Sequence, residues 1–415
     1  MKHVKGAKCI VCGTAHEATP AITLCPECGG ILEIEYDYSL IAGRVSKADM
    51  DARKEPSMWR YKEFLPVDQD GEARSGLRVG GSPLYRGKNL GASLGLKNLY
   101  IKDDGMNPTS SLKDRASSMA VAKAAEAGKD VIACSSTGNA ASSLAGNAAA
   151  EGFQTYIFVP ERAPQGKLTQ LLIYGANVIS VQGDYDATFR LSAEAIDRWG
   201  WYNRNAAINP YLSEGKKTVS YEIAEQLGWK APDYVALSVG DGCTIAGVWK
   251  GFKDLYETGF IDRLPKLISV QAEGCCPINN AVADGSESLT PMEENTLADS
   301  IAVGVPRNFL KAVRAIRESD GVTVNVSDEE ILAAISLAGR TSGVFGEPAG
   351  VTGAAGVTKL AKEGRIPEEA TVVSVVTGNG LKDIANAVKA VGAPLSLPPS
   401  LDALIEKFKE TGGPQ

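Results

Sequence analysis

The sequence predicts an α/β protein with a mainly parallel sheet, preceded by a small cysteine-bearing ribbon. Three observations carry this. From about residue 97, short β-rich runs alternate with alanine-rich segments of helical spacing, the pattern of βαβ units. Glycines 128, 152 and 175 stand just past three of those segments, where helices end. Four of the eight cysteines are paired as Cys9-x-x-Cys12 and Cys25-x-x-Cys28, ahead of everything else.

The 415 residues, 44% of them apolar, suffice for a large core and two or three domains. A net charge of −7 argues against a general nucleic-acid or acidic-membrane partner. The opening MKHVKGAKCIVCG has no apolar core of a secretory signal, and no apolar run approaches the roughly 20 residues of a membrane span. A cytoplasmic protein is expected.

Residues 1–36 are expected to form the ribbon. Gly13 and Gly29 follow the two Cys-x-x-Cys pairs, so each pair sits on a tight turn able to point two sulfurs at one ion. Two such turns close a four-sulfur site suited to structural zinc, with Cys9, Cys12, Cys25 and Cys28 as ligands. A four-sulfur site has no open position, so it is not catalytic. The only histidines, His3 and His16, lie in or beside this ribbon. The body therefore lacks Ser-His-Asp and Cys-His chemistry, and its proton transfers fall to Lys, Asp, Glu, Tyr or Ser.

Residues 37 to about 80 read as a polar arm or linker. Strands are then expected at 99–101, 131–134, 155–159, 178–181, 234–239, 267–272, 322–326 and 371–376. Helices are expected at 114–127, 139–151 and 165–174. Ser327-Asp328-Glu329-Glu330 opens another with a capping box. The PLSLPPSLDALIEKFKE segment reads as a proline-bounded surface helix.

In open α/β sheets ligands bind at the carboxyl ends of strands, so the loops there matter most. Lys113 follows the strand at 99–101 and opens an alanine-rich helix. The free N–H groups of a helix start favour the neutral amine that Schiff-base chemistry needs. Ser135-Ser136-Thr137-Gly138-Asn139-Ala140, Gly240-Asp241-Gly242-Cys243-Thr244 and Thr377-Gly378-Asn379-Gly380 each follow a strand. A Gly-x-Gly turn leading into a helix presents several N–H groups to an anion. Rival motifs fit poorly. Ile245 stands where a dinucleotide fingerprint needs its third glycine, and Pro210 where a P-loop needs its first.

Asn107-Pro108-Thr109-Ser110-Ser111-Leu112-Lys113-Asp114-Arg115 resembles the cofactor-lysine motif of fold-type II pyridoxal-phosphate (PLP) enzymes. Gly81-Ser82-Pro83-Leu84 resembles that family's early turn, and the other three loops follow in family order. The resemblance implies a Schiff base on Lys113. It implies substrate-carboxylate binding by Ser136, Thr137, Gly138 and Ala140, and cofactor contact by Asn139. It assigns the cofactor phosphate to Gly240, Asp241, Gly242, Cys243 and Thr244, and the pyridine nitrogen to Thr377. A neutral hydroxyl there gives a mild electron sink, suited to elimination and replacement at the β or γ carbon. It further implies a start of the large domain within 37–112, a smaller α/β domain over 113–221, the large domain over 222–398 and a tail over 399–415.

Within that family the chain is similar to the threonine synthases, in its four-cysteine ribbon, Val270-Gln271-Ala272-Glu273-Gly274 and Val376-Thr377-Gly378-Asn379-Gly380-Leu381-Lys382-Asp383. This implies O-phosphohomoserine as substrate, threonine and phosphate as products, Lys113 as proton shuttle and a homodimer. Three positions depart. Leu212 stands where many members carry a phosphate-gripping arginine, Leu112 replaces a phenylalanine, and Ala140 a threonine. Lys216 or Lys217 is expected to substitute for the arginine. The departures keep open a related β-elimination or replacement enzyme, such as a threonine or serine dehydratase or a cysteate-synthase-like enzyme.

Overall fold

The computed structural model describes residues 2–68, 76–161, 165–183 and 185–412. The ribbon comes first. Strands β1 (Val4–Cys9), β2 (Ala15–His16) and β3 (Leu32–Tyr36) pair antiparallel in the order β2-β1-β3. Alternate residues of β3, Leu32, Ile34 and Tyr36, turn inward and are buried.

The stretch expected to be a linker is packed instead, so far as it is described; residues 69–75 lie outside the described residues. Met58, Trp59, Tyr61, Phe64 and Leu65 are buried in the same core as Tyr221 and Phe260. Burial of three large aromatics outweighs the local polarity on which a linker reading rests.

Among the described residues, the body holds two sheets. Strands β4 (Leu84–Arg86) and β5 (Asn98–Asp103) join β10 (Tyr234–Ser238), β11 (Lys266–Ala272), β12 (Val322–Val326) and β13 (Thr371–Val376). The order is β12-β11-β10-β13-β5-β4, with only β4 antiparallel to its neighbour. Between β5 and β10 the chain builds a four-stranded parallel sheet from β6 (Val131–Ser135), β7 (Gln154–Pro160), β8 (Asn177–Val181) and β9 (Tyr202–Asn203), ordered β8-β7-β6-β9. This is the arrangement of two mainly parallel sheets that the resemblance implies.

Lys113–Glu126, Asn139–Ala150 and Gln165–Ile173 are helices, and Gly128, Gly152 and Gly175 follow them in the left-handed conformation, φ 63°, 75° and 75°. The capping box at Ser327 and Glu330 is formed at the start of helix Asp328–Ser342. Leu401–Thr411 is a helix with no buried residue. Among the described residues, no helix is long and apolar enough to cross a membrane.

Candidate active site

Four loops converge at the carboxyl ends of β5, β6, β10 and β13. β5 and β13 pair in register to Asp103↔Val376, so the segments that follow them run on together. Leu112 N–H donates to Thr377 O at 2.9 Å, and Asn379 N–H to Ser110 O at 3.0 Å. Ser110 takes φ 68°, a tight reversal that swings the next residues into the helix of Lys113.

The Lys-Asp-Arg triplet divides its labour. Arg115 is fully buried; Nε meets Asp104 Oδ2 at 2.7 Å and Nη1 meets Glu222 Oε1 at 2.6 Å. Lys102 completes that network at 2.6 Å from Glu222 Oε2. Burial opposes ionisation of Glu222, but Arg115 and Lys102 hold its carboxyl well below the usual range. The Gly81-Ser82 turn belongs to this anchor: Gly81 N–H donates to Glu222 at 2.8 Å and Ser82 Oγ to Asp104 at 2.5 Å. Asp114 accepts from Thr109 N–H at 2.8 Å, Thr109 Oγ1 at 2.7 Å and Asn147 Nδ2 at 2.8 Å, so it fixes the loop ahead of the helix. Burial raises its carboxyl to about 6. Lys113 alone of the three is half-buried and, among the described residues, makes no ion pair. Burial, with Lys216 and Arg204 adding to it, pushes its ammonium down to about 8.

Thr137, Gly138 and Asn139 line a cavity of about 340 Å³, together with Ser142, Glu347 and Lys382. Gly138 caps the Asn139–Ala150 helix, with Ser136 Oγ accepting from its N–H at 3.2 Å; Ala140 lies in its first turn. Asn139 Nδ2 donates to Glu347 Oε1 at 2.5 Å. A Cβ on Gly378 would stand 2.0 Å from that same oxygen, so the residue after Thr377 must be glycine for Glu347 to sit there. A larger cavity, about 770 Å³ between helices Asp328–Ser342 and Pro348–Lys362, shares none of the loops around Lys113.

Gly242, φ 88°, starts the 15-residue helix Cys243–Glu257. A side chain at Gly240 or Gly242 would collide with Ile301 or Ala312 within 2.8 Å. Asp241 turns its carboxylate away: Oδ1 accepts from Arg307 N–H at 2.8 Å and Oδ2 from Asn308 Nδ2 at 2.6 Å. Its carboxylate is thus occupied outside the loop. Burial raises the Cys243 thiol, but Lys216 beside it prevails and lowers it. Thr244 is partly exposed in the first turn.

One expectation is corrected. Lys217 does not face the site. It is fully buried, 2.7 Å from both Glu214 Oε2 and Asp254 Oδ2, with its ammonium over the Tyr36 ring. Two carboxylates already compensate its charge. Lys216, one residue earlier and about 100° round the helix, is the lysine near Cys243 and Lys113. Glu347, Lys382 and Arg204 escaped the sequence reading. Glu347-Pro348 before a helical pattern is a start signal that could have drawn attention to Glu347.

Lys113 and the Gly242 helix start fit PLP: a weakly basic, unpaired lysine amine and a helix N-terminus free for a phosphate. In the ribbon the four cysteine sulfurs lie within 4.8 Å of one another, Cys9–Cys28 at 3.5 Å and Cys12–Cys25 at 3.7 Å. A tetrahedral zinc with Zn–S near 2.3 Å needs sulfurs about 3.8 Å apart, so a metal fits. His16 Nε2 stands 3.2 Å from Cys25 Sγ.

The family model for Pyridoxal-phosphate dependent enzyme matches residues 76–378. The chain is 40% identical to the threonine synthase of Methanocaldococcus jannaschii over 97% of its length and 99% of the relative's. It is 36% identical to that of Mycobacterium tuberculosis over 84% of its length and 94% of the relative's. The chain belongs to the threonine synthase family. Solved structures share the family's fold at lower identity. Threonine deaminase isoform 2 from Solanum lycopersicum is 22% identical, with TM-score 0.65 over 75% of this chain and 83% of its own. Maize serine racemase is 21% identical, with TM-score 0.62 over 80% and 92%.

Proposed function

We propose that this member of the threonine synthase family converts O-phosphohomoserine and water into threonine and inorganic phosphate, with PLP held on Lys113. The observation that carries the reading is Lys113 itself: half-buried, unpaired and lowered to about 8 beside the Thr377 loop. When bound, PLP supplies an electron sink for negative charge developing on substrate carbon.

The chain's own groups do the rest. N–H groups from Gly242 to Thr244, at a helix start, receive the cofactor's phosphate. The Thr377 hydroxyl would hold the pyridine nitrogen, and Asn139 the ring oxygen. Ser136, Thr137, Gly138 and Ala140 receive the substrate carboxylate at the Asn139–Ala150 helix start. An amine near pH neutrality both gives and takes protons, so Lys113 removes the α proton and then moves protons at the β carbon. The four ribbon cysteines would hold a structural zinc. A homodimer and cytoplasmic residence complete the reading.

A second reading, a dehydratase or β-replacement enzyme, draws on Leu212. It is 1% exposed within the apolar core of the small sheet, and its side chain offers an anion no donor. Purified holoenzyme given O-phosphohomoserine is expected to release threonine and phosphate in equal amounts. Lys113→Ala is expected to lose both, along with the visible absorbance of bound PLP. Release of a 2-oxo acid instead would favour the second reading.

A further inference from the structure

We infer that Arg204, joined by Lys216, is the subsite that takes the dianionic leaving group of the substrate. The inference rests on the threonine synthase reading above. Arg204 follows β9, and its N–H donates to Ala133 O at 2.9 Å. It therefore stands at the carboxyl edge of the small sheet, where the Ser136–Asn139 loop also begins. Its Nε donates to Ser117 Oγ at 3.1 Å. Ser117 is one helical turn past Lys113 and on the same face, so the guanidinium lies along the face that carries Lys113.

What is missing around Arg204 is the telling feature. The residue is 2% exposed, its Nη2 is buried without an acceptor, and among the described residues no carboxylate lies within ion-pair distance. The next residue repeats the pattern. Asn205 Oδ1 accepts from Ser135 N–H at 2.9 Å, while its Nδ2 is buried with no acceptor. The other fully buried arginine near the site, Arg115, is enclosed by Asp104 and Glu222. A buried guanidinium left unpaired is costly, so the absent partner points to an anion that arrives from outside. Burial lowers the basicity of Arg204, and both Arg204 and Lys216 depress Lys113, so the three cations stand close enough to feel one another.

Two phosphates must be housed. The one on the cofactor has the backbone N–H groups at the Cys243–Glu257 helix start. The one on the substrate has no arginine at 212, where the buried Leu212 packs against apolar neighbours. A planar fork with free N–H donors matches two phosphate oxygens, and a buried lysine adds a point charge.

The test uses holoenzyme with Arg204→Gln, Arg204→Lys and Lys216→Gln, following PLP absorbance, kcat and KM for O-phosphohomoserine, and inhibition by inorganic phosphate. Arg204→Gln is expected to keep its PLP while kcat/KM falls roughly 10- to 150-fold, mainly through KM, with the phosphate inhibition constant rising in parallel. Arg204→Lys recovers part of the loss. Should the Arg204 variants fail to fold, Lys216→Gln is expected to move both constants the same way. Unchanged KM and phosphate inhibition in a folded variant overturns the assignment. Loss of PLP also overturns it, because the charge would then serve the cofactor's phosphate. If wild-type enzyme does not turn over O-phosphohomoserine, the functional reading fails by itself. Binding of inorganic phosphate to wild-type and Arg204→Gln holoenzyme, measured by calorimetry, then still decides the subsite.

Discussion

Lys113 owes its unpaired amine to what its two neighbours do. Asp114 ties down the loop before it and Arg115 bolts the helix to Asp104 and Glu222, so the lysine is held without being neutralised. With its ammonium near 8 rather than the usual 10.5, about a tenth of the apoprotein carries a neutral amine at pH 7. Reconstitution of apoprotein with PLP is therefore expected to speed up about tenfold per pH unit below 8 and to level off above it. Stopped-flow absorbance checks this; a rise continuing to pH 10 would mean an unperturbed lysine. The same residues show what was legible. Lys113 could be read because the Asn107–Arg115 segment resembles a family motif; a lysine at a helix start after a strand is, by itself, ordinary. Lys216 and Lys217 could not be told apart, since facing depends on the rotation of a six-residue helix and on Glu214 and Asp254, far apart in sequence. Arg204 gave no signal at all, because an arginine in a loop is ordinary until its burial and lack of a partner are known.

At the scale of elements, the strands and helices of the body were legible because each carries its own period and its own stop. Glycines at 128, 152 and 175 end three helices in the left-handed conformation that costs glycine little. The short strands β2 and β9, two residues each, carry no pattern to read. The aromatic turn over Met58–Phe64 was misjudged because its burial depends on Tyr221 and Phe260, contacts made long after it in sequence. The buried Lys102–Glu222–Arg115–Asp104 network holds the Lys113 helix to β5 and to helix Thr218–Gln226. Glu222→Ala leaves two buried cations undercompensated and is expected to cost about 3–5 kcal/mol in denaturant unfolding. A loss under about 1 kcal/mol would mean the network is slack.

Over the whole molecule, the ribbon is docked rather than tethered. Tyr36 OH donates to Glu214 Oε2 at 2.6 Å, Lys311 Nζ to Leu32 O at 2.6 Å, and Arg314 Nη1 to Ile10 O at 3.1 Å. Chelation, or Cys25→Ser, is expected to release one zinc per chain, read by elemental analysis, and to lower Tm by several degrees; an unchanged Tm would make the metal dispensable. Burial opposes ionisation of Glu214, but Lys217 and Lys250 bring it down to about 2. Its folded value lies below its ordinary 4.5, so the stability it contributes is complete above pH 4.5 and is lost as pH falls towards 2. Denaturant midpoints are expected to drop across that window, and less steeply in Glu214→Gln. The interleaving of the two sheets also sets an order of events on the ribosome. β5 must wait for β13, roughly 270 residues later, to gain its central partner. At 5–20 residues per second that delay is about 15–50 s. The small sheet, contiguous in the chain, can close long before. A nascent chain arrested before residue 371 is expected to protect residues 131–203 from protease while leaving β5 open to cleavage. Lys113 is made early, but its pocket is among the last things synthesis completes.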